Sequence, residues 1–169
     1  PPSYHSPMIR ILATALLALS LTASGAFATS WDDLVLVDGL YHKKLTDVPF
    51  TGKLDEGLER GAYKNGLSEG PWVSYYDNGR TWKKGAYKNG LSEGPWVGYR
   101  NNGQLSWKGA FKSGKAEGPW VSYYDNGRIW HKGVYKNGNR EGPWVGYFEN
   151  GTKDDRLTGT FRNDVKISD

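Results

Sequence analysis

The pentapeptide Glu-Gly-Pro-Trp-Val occurs at Glu69–Val73, Glu93–Val97, Glu117–Val121 and Glu141–Val145, so Trp72, Trp96, Trp120 and Trp144 follow one another every 24 residues. A fixed period of this length marks a repeat array, in which each copy is one supersecondary unit whose apolar face is covered by its neighbours. The period divides the chain into four units, Gly61–Lys84, Gly85–Lys108, Gly109–Lys132 and Gly133–Arg156. Every unit opens on glycine, carries an aromatic residue at its third position and lysine at its fourth, and places Asn-Gly near its second turn.

Within a unit, Pro71–Tyr76 reads as a strand rich in aromatic and β-branched residues, with proline at its start, where a missing N–H does least harm. Arg80–Tyr87 reads as the return strand, and Lys88–Gly94 as the loop into the next unit. Between the strands, Asp77-Asn78-Gly79 signals a hairpin, because Asn and Gly tolerate positive φ. A two-residue turn would pair Asp77 with Arg80 and Tyr75 with Trp82. A three-residue turn with a glycine bulge would pair Tyr76 with Arg80 and Ser74 with Trp82, and Asp-Asn-Gly favours this form. Trp82 then shares a face with Trp72, since side chains alternate along a strand. The second copy departs, because its return-strand tryptophan, Trp107, lies one place later than Trp82 and Trp130 do in theirs. Ser74 and Ser122 alternate with Gly98 and Gly146, and Tyr76 and Tyr124 with Arg100 and Phe148, which suggests a longer period of two units.

The flanks are organised differently. Residues 1–28 read as upstream residues plus a cleaved secretory signal: a basic Met8-Ile9-Arg10, an apolar Ile11–Leu21 and the small-x-small site Ala26-Phe27-Ala28. The apolar run is short of the roughly 20 residues a membrane span needs. Export to the periplasm or beyond is therefore expected. Residues 29–60 read as an N-terminal cap. Ser30-Trp31-Asp32-Asp33 resembles a capped helical turn, Leu40–Leu45 and Val48–Leu54 read as short strands, and Pro49–Lys53 as a degenerate half-repeat. Residues 157–169 hold a closing strand at Gly159–Asn163. The expected fold is all-β: an elongated single-layer antiparallel meander, or β-hairpin solenoid, with atypical end caps.

Gly-Ala-Tyr-Lys-Asn-Gly followed by Glu-Gly-Pro-Trp-Val-Ser-Tyr-Tyr-Asp-Asn-Gly resembles the MORN-repeat variant, and is similar to the toxin–antitoxin system YwqK-family antitoxins. The resemblance covers about Gly61–Arg156. It implies a meander of hairpins, no enzymatic activity and an antitoxin-like, protein-binding role.

Composition excludes several classes of function. With no cysteine in the chain there is neither a disulfide scaffold nor a lipidated cysteine. Without Arg10 the mature chain would carry 21 basic and 18 acidic residues, too even a balance to single out nucleic acid, which is not an expected partner. His5, His42 and His131 are scattered, and neither they nor the acidic pairs Asp32-Asp33 and Asp154-Asp155 have metal-ligand spacing. No catalytic residue, metal or cofactor is expected. Lys64, Lys88, Lys112 and Lys136 form one row and the motif glutamates another, which would largely neutralise each other. The remaining candidates are rings: Trp72, Trp96, Trp120 and Trp144; Trp82, Trp107 and Trp130; and Tyr75, Tyr99, Tyr123 and Tyr147. These rows serve either as the core of a thin sheet or as a binding surface. An unidentified protein partner comes first, with a glycan or lipid surface as the alternative.

Overall fold

A computed structural model describes residues 30–169; the signal segment and the cleavage site lie outside the described residues. Ser30 caps a 3-10 turn, Trp31–Asp33, its hydroxyl accepting from the amide of Asp32 at 3.2 Å. Two short strands follow, β1 (Leu34–Val37) and β2 (Leu40–Lys43), paired as a separate hairpin. The remaining strands are β3 (Gly52–Glu56), β4 (Glu59–Lys64), β5 (Leu67–Tyr75), β6 (Thr81–Lys88), β7 (Leu91–Tyr99), β8 (Leu105–Lys112), β9 (Lys115–Ala116), β10 (Gly118–Tyr123), β11 (Ile129–Lys136), β12 (Asn139–Gly146), β13 (Gly159–Arg162) and β14 (Val165–Ser168). They form one antiparallel meander of 12 strands in sequence order, in which β8 pairs with both β9 and β10. No α-helix occurs among the described residues. The expected single-layer, hairpin-by-hairpin sheet is what the chain builds.

The turns alternate between two forms. At the Asp-Asn-Gly turns the three-residue form holds: the Tyr76 amide donates to Arg80 O and the Gly79 amide to Tyr76 O, both at 2.8 Å, with Gly79 at φ +78°. Beyond it the register departs from expectation. Tyr75 pairs with Thr81 and Ser74 with Lys83, so Trp82 is the extra residue of a second bulge and faces no partner. The other turns are tighter than the seven-residue loop read from sequence. Lys88 pairs directly with Leu91 around Asn89-Gly90, both at positive φ (49° and 77°), a two-residue hairpin.

Strand β5 therefore begins at Leu67, four residues before Pro71, and runs through Glu-Gly-Pro. The reason is a bulge. On the β4 side, Ala62 pairs with Glu69 and Arg60 with Val73, which leaves Gly70, Pro71 and Trp72 opposite Gly61 alone. Gly70, at φ +77°, makes the kink, and the proline has no ladder partner on the β4 side, while on the other side it lies opposite Ala86.

The bulge also explains the opening glycine. A Cβ on Gly61, Gly85, Gly109 or Gly133 would lie 2.0–2.2 Å from the ring of Trp72, Trp96, Trp120 or Trp144 respectively. Each indole lies flat over the glycine that opens its own unit. On that face Tyr63, Trp72, Tyr87, Trp96, Phe111, Trp120, Tyr135 and Trp144 form an unbroken edge-to-face file, with centroids 4.9–6.3 Å apart. This file is the core, because a one-layer sheet covers its rings with other rings.

The ends follow the same scheme. Gly52 pairs with Tyr63 as Gly70 does with Tyr87, so buried Leu54 occupies a tryptophan's place in a half-repeat. Trp31, Leu34, Tyr41 and Phe50 cover that end of the file. At the other end β13 pairs with β12, and β14 lies beyond it at the sheet's edge, so the expected closing strand is not the last.

Candidate functional site

The two faces of the sheet carry different chemistry. Trp72, Trp96 and Trp144 are buried and Trp120 is half-buried, all within the aromatic file. Trp107 is half-buried too, stacked on Trp120 at 4.9 Å and 6°. It lies over Gly98, where a Cβ would come within 2.2 Å of its Nε1. Trp82 and Trp130 are exposed, at 45% and 42%, and each tilts against a tyrosine of the preceding turn, Tyr76 at 6.2 Å and Tyr124 at 6.1 Å. Lys83 joins Trp82 to the file, its Nζ lying 4.6 Å from that ring and 5.8 Å from Trp96. His131 takes the corresponding place beside Trp130. It is half-buried, between Trp130 at 4.4 Å and Trp144 at 5.6 Å, rather than a solvated surface residue. Burial, and then the Arg140 charge, hold its pKa below the ordinary histidine value.

The opposite face carries Tyr75, Tyr99, Tyr123 and Tyr147, each two residues beyond Val73, Val97, Val121 and Val145 and so on the same face as they are. Beside them runs a cross-strand ladder: Arg60 pairs with Val73, Val73 with Lys84, Lys84 with Val97, Val97 with Lys108, Lys108 with Val121, Val121 with Lys132 and Lys132 with Val145. Next to the ladder lies a row of exposed prolines, Pro71, Pro95, Pro119 and Pro143. The proline row and the ladder from Val73 to Val145 form a trough of about 1150 Å³ along the repeats, floored by proline, valine and alanine, and Lys84, Lys108 and Lys132 are the only charged residues lining it among the described residues. Trp72, Trp96 and Trp120 also border this trough, while their rings belong to the aromatic file of the other face.

The trough was not among the expected sites. Its signal was present in the sequence, because the first three units each close on a lysine directly before the next opening glycine. The expected mutual neutralisation of the Lys64 and Glu69 rows is not found. Among the described residues no salt bridge joins them. The motif glutamates cap turns instead: Glu69, Glu93 and Glu117 accept from the amides of Asn89, Ser113 and Asn137, each at 2.8 Å. Neither group of His, Cys, Asp and Glu able to hold a metal nor any helix long and apolar enough to cross a membrane occurs among the described residues.

These features define a repeat protein of the β-hairpin solenoid type, with an aromatic spine on one face and a basic, apolar trough on the other. Residues 68–89 and 116–137 match the family model described as MORN repeat variant. The two matches support a MORN-repeat protein. They begin 48 residues apart and cover corresponding stretches, one running from the first unit into the second and the other from the third into the fourth. MORN repeats are commonly protein- or membrane-binding modules. No curated protein matches the chain.

Proposed function

We propose that this protein is a non-catalytic binding module that acts after export and holds a protein partner along the proline–valine–lysine face of its sheet. The single observation that carries this reading is the trough. It is apolar, repeats with the units and lies open, whereas most tryptophans are used up in the core on the other face. Exposed contiguous apolar surface with a polar rim is the usual character of a docking site. An antitoxin-like role, with a toxin or effector held in the trough, is the form that the repeat resemblance suggests. Because the chain is read as exported, that target would be outside the cytoplasm.

A second reading, glycan binding on the opposite face, draws on the paired exposed rings Tyr76–Trp82 and Tyr124–Trp130. These pairs recur two units apart and offer flat apolar surface of the kind sugars stack on.

The test compares two double variants for binding to envelope fractions and glycan arrays, with melting as the folding control. On the protein reading, Pro95→Asp/Pro119→Asp abolishes saturable binding to a discrete protein and Trp82→Ala/Trp130→Ala leaves it intact. The reverse pattern, with glycan-array signal lost only in the tryptophan variant, would overturn it in favour of sugar.

A further inference from the structure

We infer that the occupant of the trough is an acidic amphipathic α-helix of a partner protein, an inference that rests on the docking role given to the trough above. Three features of the face lead to this chemistry.

The first is charge. Among the described residues, Lys84, Lys108 and Lys132 are the only charged residues lining the trough, and none of them is in a salt bridge. The motif glutamates Glu69, Glu93 and Glu117 form no salt bridge with them among the described residues and accept instead from turn amides. The three ammonium groups therefore await an anionic partner. They also disfavour a second copy of the chain packed face to face, which would bring two lysine ladders together.

The second is the backbone. The floor is the face of a sheet whose strands pair with neighbours on both sides except at the Gly-Pro-Trp bulges, and it offers an incoming chain mainly side chains and no continuous row of free backbone groups. An extended peptide lying across it would bury its own N–H and C=O groups without partners. Such a peptide gains its main-chain bonds at a sheet edge, not on a face. A helix satisfies its backbone internally and can lie on side chains alone.

The third is spacing. Successive ladder lysines are two strands apart, roughly 9.6 Å at about 4.8 Å per strand. A helix returns to the same face every seventh residue after about 10.5 Å. Acidic residues at positions i, i+7 and i+14, beside an apolar stripe, thus meet the ammonium groups in turn. From Val73 to Val145 the ladder crosses six strand gaps, roughly 29 Å, which a helix of about 19 residues spans.

The experiment uses the full chain and synthetic helical peptides of roughly 20 residues with an apolar stripe and glutamate at every seventh position, against the same peptides with glutamine there. Binding is followed by fluorescence anisotropy at low and high salt. The glutamate peptide is expected to bind about tenfold more tightly than the glutamine peptide, as three partly exposed ion pairs would give. High salt and the triple variant Lys84→Gln/Lys108→Gln/Lys132→Gln should both erase that preference without changing the melting temperature. Equal binding of the two peptides would overturn the acidic complement and leave the trough as an apolar docking face. Glutamate-peptide binding untouched by the triple variant would also overturn it. If neither peptide binds while Pro95→Asp/Pro119→Asp still abolishes capture of a protein, the helix is wrong and the docking face stands. Lysine-dependent binding to phosphatidylserine–phosphatidylcholine vesicles, with no binding of either peptide, would replace the helix by an anionic lipid surface.

Discussion

Gly79 and Gly85 are glycine for different reasons, and the two can be separated by substitution. Gly79 stands at φ +78° with nothing within 4 Å of an added Cβ, so its constraint is backbone conformation alone. Gly79→Val should cost on the order of 1–2 kcal/mol in denaturant unfolding, and Gly79→Asn much less, since Asn tolerates that conformation. Gly85 has no such φ, but a Cβ there would lie 2.2 Å from Trp96 Cδ2. Gly85→Ala should therefore cost roughly 1–3 kcal/mol through overpacking, with no rescue by Asn. Equal losses for Gly79→Val and Gly79→Asn would refute the assignment of that turn. His131 gives the pH dependence at this scale. Its folded-state pKa is lowered by burial and by Arg140, so the unfolded chain takes up the proton more readily than the folded one. The resulting stability is complete above the unfolded histidine value, about 6.5, and is lost as pH falls towards and through the lowered value. Thermal melts between neutral and mildly acidic pH should show this decline, and His131→Gln should flatten it. His131 sits among Trp130, Trp144 and Arg140, and those are the groups to vary if the slope persists.

Among the elements, the hairpins are tied by side chains from the unit before. The Tyr76 hydroxyl donates to Tyr99 O and that of Tyr124 to Tyr147 O, both at 2.8 Å, while the Arg100 guanidinium donates to Tyr123 O at 2.6 Å. Arg100 thus substitutes for tyrosine in tying one hairpin to the next, which gives a physical reason for the departure at this position of the second unit. The Ser/Gly alternation has a similar cause. Trp120 donates to Ser122 Oγ, whereas Trp96 and Trp144 turn and donate to the carbonyls of Ala86 and Val134. At Gly98 and Gly146, Trp107 and Leu157 take the space a side chain would fill. At this scale Glu93 is the informative target, because it accepts from the Ser113 amide at 2.8 Å. Glu93→Ala should cost about 1 kcal/mol and speed hydrogen exchange at the Ser113-Gly114 turn, while Glu93→Gln, which keeps an acceptor, should lose less. Unchanged exchange in the alanine variant would show that the turn does not depend on this contact.

For the whole molecule the prediction concerns modularity. Removing residues 85–132 joins Lys84 to Gly133 and preserves both alternations, because Trp144 and Gly146 replace Trp96 and Gly98 in kind. Tyr76 would then donate to Tyr147 O as it now does to Tyr99 O. In a solenoid, stability is close to a sum of unit and interface terms. The shortened chain should fold, melt lower and be about 20 Å shorter by small-angle scattering, having lost four strands. Binding spread along the trough should weaken without vanishing. A deletion that fails to fold would show a cooperative domain, and all-or-none loss of binding in a folded deletion would point to a single site.

The period, the strand-turn-strand content of each unit, the Asp-Asn-Gly turn form and the single-layer meander were legible from the sequence, because local chemistry fixes them: Asn-Gly needs positive φ, and alternation needs a pleat. Glu-Gly-Pro read as a break between strands, since glycine and proline end most ladders. Only pairing showed that these residues form a bulge inside a strand, with Gly61 opposite and an indole laid over it. The bulge beside Trp82 was equally hidden, because register is a property of two strands together and one residue of slippage exchanges faces. For that reason the sequence could list the aromatic rows but could not separate core from surface. Tertiary pairing sent most of the tryptophans into a spine that the neighbouring units close. It set three lysines from separate units in one ladder on the other side, where an apolar floor keeps them without acids of their own.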